Sequence, residues 1–353
     1  MKTRTKKILG FSFSLFFTVF LLELLLRIFS AALPPIVQMQ SGTGGEIGKY
    51  ARTYNSLFTF DKDLLTKLRD KRDVLIEGHP DYTYHVKTIE LTDGLWVRDD
   101  GFSKVWGVAV GDSYVFGEGV AMKDTWVEVL EKSLRRDMIN CGAPNWGFDQ
   151  YYVLLKKYLV PLKPEVVLIS IFENDFYDTL YYDQWINRLF IKKIQRFLNR
   201  HFLSYVVMKY FYFSLIKKQR EYFFDKRYDQ YFEINKSVDP SRIMKKTLSM
   251  LEKITVLAEN KKIKLLFLLF PSKEMVYLQN DPEYRVYIMQ KDQMFRRVRR
   301  MLTEKRISYI AFEKLFREYR SRKIYFRYDG HLTEYGNRLS ACVISQKLRT
   351  MCK

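Results

Sequence analysis

The chain has 353 residues, of which 47% are hydrophobic, enough for one sizeable α/β domain with additions and too apolar for a disordered chain. Its 60 Lys and Arg against 40 Asp and Glu give a formal charge of +20, which favours anionic surroundings such as lipid headgroups. The basic residues are spread along the chain with no nucleic-acid-binding motif beside them, so nucleic acid is not an expected partner.

The N-terminus comes first in chain order. Ile8 to Leu22 carries no charge, and the apolar run continues through Glu23 and Arg27 to about Val37. A helix of ~20 to 25 residues matches the ~30 Å hydrocarbon core of a bilayer. Lys2, Arg4, Lys6 and Lys7 precede it, which predicts a cytoplasmic N-terminus and an exported remainder. Glu23 and Arg27 are four residues apart and able to pair, with Arg27 snorkelling to the far interface. Ser30-Ala31-Ala32 also resembles a cleavage site, so a removed signal peptide is the rival reading; the length of the apolar run favours a retained anchor. Pro34 and Pro35 are expected to stop the helix. The predicted organisation is a cytoplasmic segment over 1–7, a transmembrane signal-anchor helix over 8–32, a juxtamembrane linker and N-terminal extension over 33–102, and the main domain over 103–353. Gly42, Gly44 and Gly45 read as the flexible part of that linker.

Within the main domain, apolar β-rich runs at Val105–Val110, Met138–Asn140, Val166–Phe172, Leu265–Phe270 and Ile307–Phe312 alternate with amphipathic segments. Those segments are Trp126–Arg136, Gln150–Leu159, Lys245–Glu259 and Gln293–Lys305. The pattern predicts an α/β fold, a three-layer α/β/α sandwich with a central parallel sheet, whose ligands sit beyond the carboxyl ends of the strands. An insertion over 176–235, rich in Tyr, Phe, Lys and Arg, is expected to form two or more helices. It reads as a helical cap with an aromatic core, as a lid or acceptor platform, or as a surface resting on anionic lipid through Lys192, Lys193, Arg196, Lys217 and Lys218.

Cys141, Cys342 and Cys352 form neither a CxxC pair nor a cluster with any of the four histidines. No metal site or disulfide framework is signalled, and no cofactor is expected. The chemistry lies instead in four blocks that follow predicted strands. GDSYVFGEGV, Gly111 to Val120, places Ser113 in a tight turn at a strand's end. NCGAPNWGFDQ, Asn140 to Gln150, is a loop able to expose backbone N–H groups. IFENDF ends a buried strand with Asn174 and Asp175, and YDGHLTEYGN puts Asp329 two residues before His331, ahead of a helix that Thr333 is placed to cap. Together the blocks hold a hydroxyl, amide donors, an imidazole and a carboxylate, the parts of an acyl-transfer site.

In these blocks, taken in this order, the sequence resembles the SGNH (GDSL-like) hydrolases over roughly Val105 to Leu348, interrupted by the insertion. FLLFPSKEMVY, from Phe267 to Tyr277, and LLELLLRIF, from Leu21 to Phe29, are similar to the membrane-anchored bacterial branch related to polysaccharide O-acetyltransferases and esterases. The resemblance implies a flavodoxin-like fold, Ser113 as nucleophile, His331 as general base and Asp329 as its orienting acid. It implies an oxyanion hole from the Ser113 and Asn145 N–H groups and the Asn174 side chain, with Gly147 as the alternative to Asn145; Asp112 and Asp175 would fix backbone turns. It departs from the family in three places: Asn145 stands at the usual glycine of the second block, Phe172 at a usual glycine of the third, and the acid and base are spaced Asp-x-His. That spacing, seen in relatives that acetylate exopolysaccharide, keeps transfer beside hydrolysis.

The function implied is an extracytoplasmic serine-dependent esterase or O-acyltransferase at the bacterial inner membrane. Its expected partners are the bilayer, acylated envelope carbohydrate and a membrane acyl donor. The alternative is a non-catalytic envelope scaffold, or a glycan- or lipid-binding module, on a degenerate core of the same type.

Overall fold

The computed structural model describes residues 2–216, 220–235 and 240–352. The chain divides into two compact units: one comprises Met1–Ser56, Ile76–His79 and Arg188–Lys218, the other Leu57–Leu75, Pro80–Asn187 and Gln219–Lys353.

The larger unit is built on a five-stranded sheet in the spatial order Ser308–Ala311, Lys264–Leu269, Val166–Ile171, Gly107–Gly111, Met138–Gly142. Every neighbouring pair is parallel, with Gly107 opposite both Met138 and Val166, Lys264 opposite Val166 and Leu266 opposite Ser308. The three strands at Gly107, Met138 and Val166 are buried at every position, which is why they read as unbroken apolar runs rather than alternating ones. The chain steps from the Gly107 strand to Met138 on one side, then returns across it to Val166 on the other. Right-handed crossovers therefore place the connecting helices on opposite faces. Trp126–Leu134 packs with Glu334–Met351, while Phe148–Leu154, Glu173–Ile186, Pro240–Asn260 and Arg285–Glu304 pack among themselves. This is the expected α/β sandwich, and all five predicted strands and four predicted helices are present.

The reversal of direction makes the Gly107 strand the switch point of the sheet, where two adjacent loops leave in opposite directions and open a crevice. Close approach is built in beside it. A Cβ on Gly142 would lie 2.2 Å from the Phe116 nitrogen, so the second loop packs directly on the backbone that follows the first.

Two parts of the larger unit depart from the expected plan. The extension before residue 103 holds an antiparallel pair, Phe58–Asp61 with Leu65–Leu68, and a three-stranded sheet of Asp73–Ile76, Tyr84–Thr92 and Leu95–Arg98. Along Tyr84–Thr92 the side chains of Tyr84, Val86 and Thr88 are buried while those of His85 and Lys87 are exposed, the alternation of a strand with one covered face. The insertion, expected to be helical, ends in a hairpin of Arg220–Asp225 and Gln230–Asn235.

In the smaller unit, the helix Lys2–Ile28 contains an apolar stretch, Phe11–Ile28, long enough to cross a membrane. The glycines expected to make a flexible linker form a packed turn instead. Gly42 ends the helix Pro35–Ser41 in the left-handed region, and a Cβ on Gly44 would meet the Ser30 carbonyl oxygen at 2.3 Å. Two insertion helices, Leu189–His201 and Leu203–Ile216, belong to this unit, and the predicted lipid contacts Lys217 and Lys218 lie outside the described residues.

Gly142→Ala should lower stability by about 1 to 3 kcal/mol through the forced backbone contact. Gly330→Ala, whose Cβ would meet nothing within 4 Å, should be near neutral. Urea unfolding of both variants checks the contrast.

Candidate active site

Ser113 begins the short helix Ser113–Phe116 directly after the switch-point strand. Asp112 is fully buried, and its carboxylate accepts from the Tyr114 N–H at 3.0 Å. It caps the turn and aims the serine out of the strand. Burial pushes the Asp112 carboxyl up to about 6, against the Tyr114 N–H bond and the charge on His331.

The base loop arrives from the other end of the chain. His331 Nε2 lies 2.7 Å from Ser113 Oγ, and His331 Nδ1 lies 2.5 Å from Asp329 Oδ1. The same Asp329 oxygen accepts the His331 backbone N–H at 2.7 Å, a closed turn that the Asp-x-His spacing permits. In the neutral imidazole the Nδ1–H donates to Asp329 and Nε2 accepts from the serine hydroxyl. Thr333 accepts from the Gly336 N–H and caps Glu334–Met351 as expected. Ser113, His331 and Asp329 are thus brought together in hydrogen-bonding sequence.

The predicted amide donors divide. Asn145 adopts φ +63, the left-handed conformation that asparagine tolerates, and is exposed at its loop tip. Gly147 has extended backbone and donates its N–H to Gln150 Oε1 at 3.2 Å, so that donor is already committed to starting the helix Phe148–Leu154. The Asn174 side chain is near enough to the Asp112 carboxyl to oppose the upward push of burial on it, which places it in the neighbourhood of Ser113. Its Nδ2 also donates to Asp178 Oδ2 at 3.0 Å, while its Oδ1 is buried with no partner among the described residues. Asp175 accepts from the Phe172 N–H and from the Tyr151 hydroxyl, both at 2.8 Å, a role in turn geometry as expected. Phe172 stacks on Tyr114 with ring centroids 4.1 Å apart.

Several residues that sequence reasoning passed over complete the arrangement. Glu118 lies between Gly117 (φ +77) and Gly119 (φ +87), a turn that only glycines make without strain, and it is buried. Its Oε2 is 3.7 Å from His331 Nε2, the nitrogen that faces Ser113. Burial alone would push the His331 imidazole down. The Asp329 and then the Glu118 carboxylate more than reverse this and hold it up at about 10. Tyr82 donates its hydroxyl to Asp329 Oδ2 at 3.2 Å, and Tyr114 donates to the Gly330 carbonyl at 2.7 Å. Lys273 is buried and donates to the carbonyls of Phe326, Arg327 and Asp329 at 2.7, 2.9 and 3.3 Å, pinning the base loop. Arg98, fully buried between the rings of Tyr84 and Phe116, donates to the carbonyls of His85, Phe116, Gly117 and Val120 and so holds the turn that carries Glu118. Glu118 and Lys273 stand inside motifs already visible in the sequence. Tyr82 and Arg98 lie in the extension, where only the alternation of Tyr84–Thr92 hinted at ordered structure. Among the described residues no group of three His, Cys, Asp or Glu is placed to hold a metal.

A serine hydroxyl on an imidazole that is backed by a carboxylate, at the switch point of a parallel α/β sheet, has the arrangement of a serine-dependent acyl-transfer site. In agreement, residues 229–352 match the family model ALGX, described as an SGNH hydrolase-like domain of acetyltransferase AlgX. The matched segment contains Asp329 and His331; Ser113 and Asn174 lie before it. The resemblance expected from the sequence is borne out, and the match supports an ester-acting hydrolase or acetyltransferase. Among solved structures, the chain is similar to a member of the lipolytic protein G-D-S-L family from Veillonella parvula, at 14% identity over 67% of this chain and 93% of that one, with a TM-score of 0.41. An acetyl xylan esterase is similar at 13% identity over 69% and 99%, with a TM-score of 0.43. An acetylxylan esterase from Geobacillus stearothermophilus is similar at 13% identity over 69% and 92%, with a TM-score of 0.40. A comparison with curated proteins finds no match.

Arg98→Met, which keeps the bulk and removes the donors, should cost about 3 kcal/mol by leaving buried carbonyls unpaired. Tyr82→Phe should cost about 1 kcal/mol or less. Denaturant unfolding measures both, and an Arg98→Met protein as stable as the parent would show that the Phe116–Val120 turn holds itself.

Proposed function

We propose that this chain is a membrane-anchored, extracytoplasmic serine esterase or O-acyltransferase that works through an acyl-enzyme on acylated envelope carbohydrate. The observation that carries this reading is the continuous contact from Asp329 through His331 to Ser113. His331 Nε2 takes the Ser113 proton as Oγ attacks the ester carbonyl carbon, and Asp329 stabilises the imidazolium that forms. The Ser113 and Asn145 N–H groups receive the developing oxyanion, with Asn174 as a third donor when its amide turns from Asp178. Collapse expels the alcohol, which takes the proton from His331, and leaves Ser113 acylated. Water or a sugar hydroxyl then gives its proton to His331 and attacks the acyl carbon, and collapse of that intermediate breaks the bond to Ser113 Oγ, which takes the proton back from His331. The description of the matched family model as an acetyltransferase supports transfer beside hydrolysis. The apolar helix supports the anchor, and the positive charge before it supports export of the remainder.

A serine-reactive phosphonate should label the full chain, and Ser113→Ala should be unlabelled and slower by about 10⁴-fold or more on a simple acetyl ester. Equal labelling of the two proteins would overturn the assignment. Mass spectrometry of envelope polysaccharide from a deletion strain separates the acceptors: lost acetyl groups mean transfer, surplus acetyl groups mean hydrolysis.

Because His331 is held near 10 and only its neutral form accepts the serine proton, kcat/KM should rise with pH well into the alkaline range. Glu118→Gln removes a carboxylate that favours the imidazolium, so this limb should move to lower pH by about one unit or more. A pH profile identical to the parent's would show that Glu118 does not act on His331.

A further inference from the structure

We propose that the helix Leu189–His201 lies in the lipid–water interface where the apolar N-terminal helix leaves the bilayer, with its aromatic face among acyl chains and its basic flank against anionic headgroups. This rests on the anchor reading above and extends it to a second membrane element.

The sequence of the helix, LFIKKIQRFLNRH, divides into two faces. Phe190, Ile191, Ile194 and Phe197 fall within about 120° of one another at 3.6 residues per turn. They are 75%, 51%, 43% and 56% exposed, an open apolar face on an otherwise charged helix. Lys193, Arg196 and Arg200 are exposed along one flank of it, where their long stems can lie along the apolar surface and lift their charges to phosphates. Beyond the apolar arc Gln195 and Asn199 are half-buried, as is Leu198 within it, and this edge of the helix is the one that packs.

What identifies the occupant as a bilayer is the attachment of this helix to the membrane-spanning one. Glu23, five residues before the end of the helix Lys2–Ile28, accepts the backbone N–H groups of Leu203 and Ser204 at 2.8 and 2.9 Å and so caps the helix Leu203–Ile216. Arg27 donates Nη2 to the His201 carbonyl at 2.8 Å, satisfying the end of Leu189–His201. Arg27 Nε also donates to Glu23 Oε1 at 2.9 Å, so the expected pair forms and is used as a bracket. A charged pair near the end of an apolar span is thereby satisfied by the junction between two helices, and that junction is fixed at the level where hydrocarbon gives way to headgroups. The second helix continues the apolar surface with Met208, Phe211 and Tyr212 exposed on one side.

The test uses the full chain in nanodiscs of phosphatidylglycerol and phosphatidylcholine, with Cys342→Ser and Cys352→Ser leaving only the buried Cys141. A nitrobenzoxadiazole label is placed in turn at Phe190→Cys, Ile194→Cys, Phe197→Cys and Arg196→Cys, and at Val19→Cys in the apolar helix. Lipids spin-labelled in the acyl chain serve as quenchers. The expected result is strong quenching at 190, 194 and 197 and weaker quenching at 196. Labels at 190, 194 and 197 that are unquenched, whether facing water or a protein partner, overturn the inference. Quenching at Val19 with none at 190, 194 and 197 leaves the anchor standing without this helix. Quenching at those three positions in a chain that has lost residue 19 sinks the anchor alone and keeps the interfacial helix.

Discussion

A hydrogen bond between His331 and Ser113 joins two loops 218 residues apart in the chain, and most of the larger unit can be understood as what is needed to hold it. Ser113 is aimed by a buried cap, Asp112, at the end of a strand whose two parallel neighbours are reached by connections on opposite sides of it. His331 is aimed by Asp329, and Asp329 is held through its own loop by Lys273, Tyr82 and Tyr114. Each of these is a polar group taken out of water and made to bond backbone or carboxylate, so its position is set by the cost of leaving it unsatisfied.

The charge distribution around the imidazole has a consequence for how such a site would work. Asp329 faces Nδ1, and Glu118 approaches the side that faces Ser113, so the half-buried ring is between two carboxylates. That arrangement stabilises the imidazolium produced when the serine attacks, which lowers the barrier. It also makes the resting base harder to deprotonate. The same two charges thus trade readiness for transition-state stabilisation, and the GEG turn, clamped by Arg98 from the extension, sets where the balance falls. The three-stranded sheet before residue 103 therefore belongs to the site rather than to a tether.

The insertion is shared between the two units. Its first helix, Glu173–Ile186, and its closing hairpin belong with the parallel sheet, whereas the helices Leu189–His201 and Leu203–Ile216 belong with the apolar N-terminal helix. Glu23 and Arg27 show how a pair of charges in an apolar run can serve a structural end: they close the open ends of two helices that lie far away in sequence.

Residue order alone determined a good deal of this protein. The three central strands of the sheet are legible because a strand buried on both faces reads as an apolar run; Ser113 is legible because it follows such a strand in a short turn-forming block, and Asp329 and His331 because they share a second such block, although the helix Glu313–Glu318 separates it from the last strand. The left-handed conformation of Asn145 follows from its residue type in a tight loop. Tertiary structure alone decided the rest. Whether Gly147 or Asn145 keeps a free N–H depended on Gln150 reaching back, and the direction of the Asn174 amide depended on Asp178. The roles of Tyr82, Arg98 and Lys273 are contacts between segments tens to hundreds of residues apart, which no local pattern encodes. The packing of Gly44 against Ser30, and of two insertion helices against the N-terminal one, arose in the same way: composition reports how a segment interacts with water and with its own backbone, and only the folded chain reports which distant surface it meets.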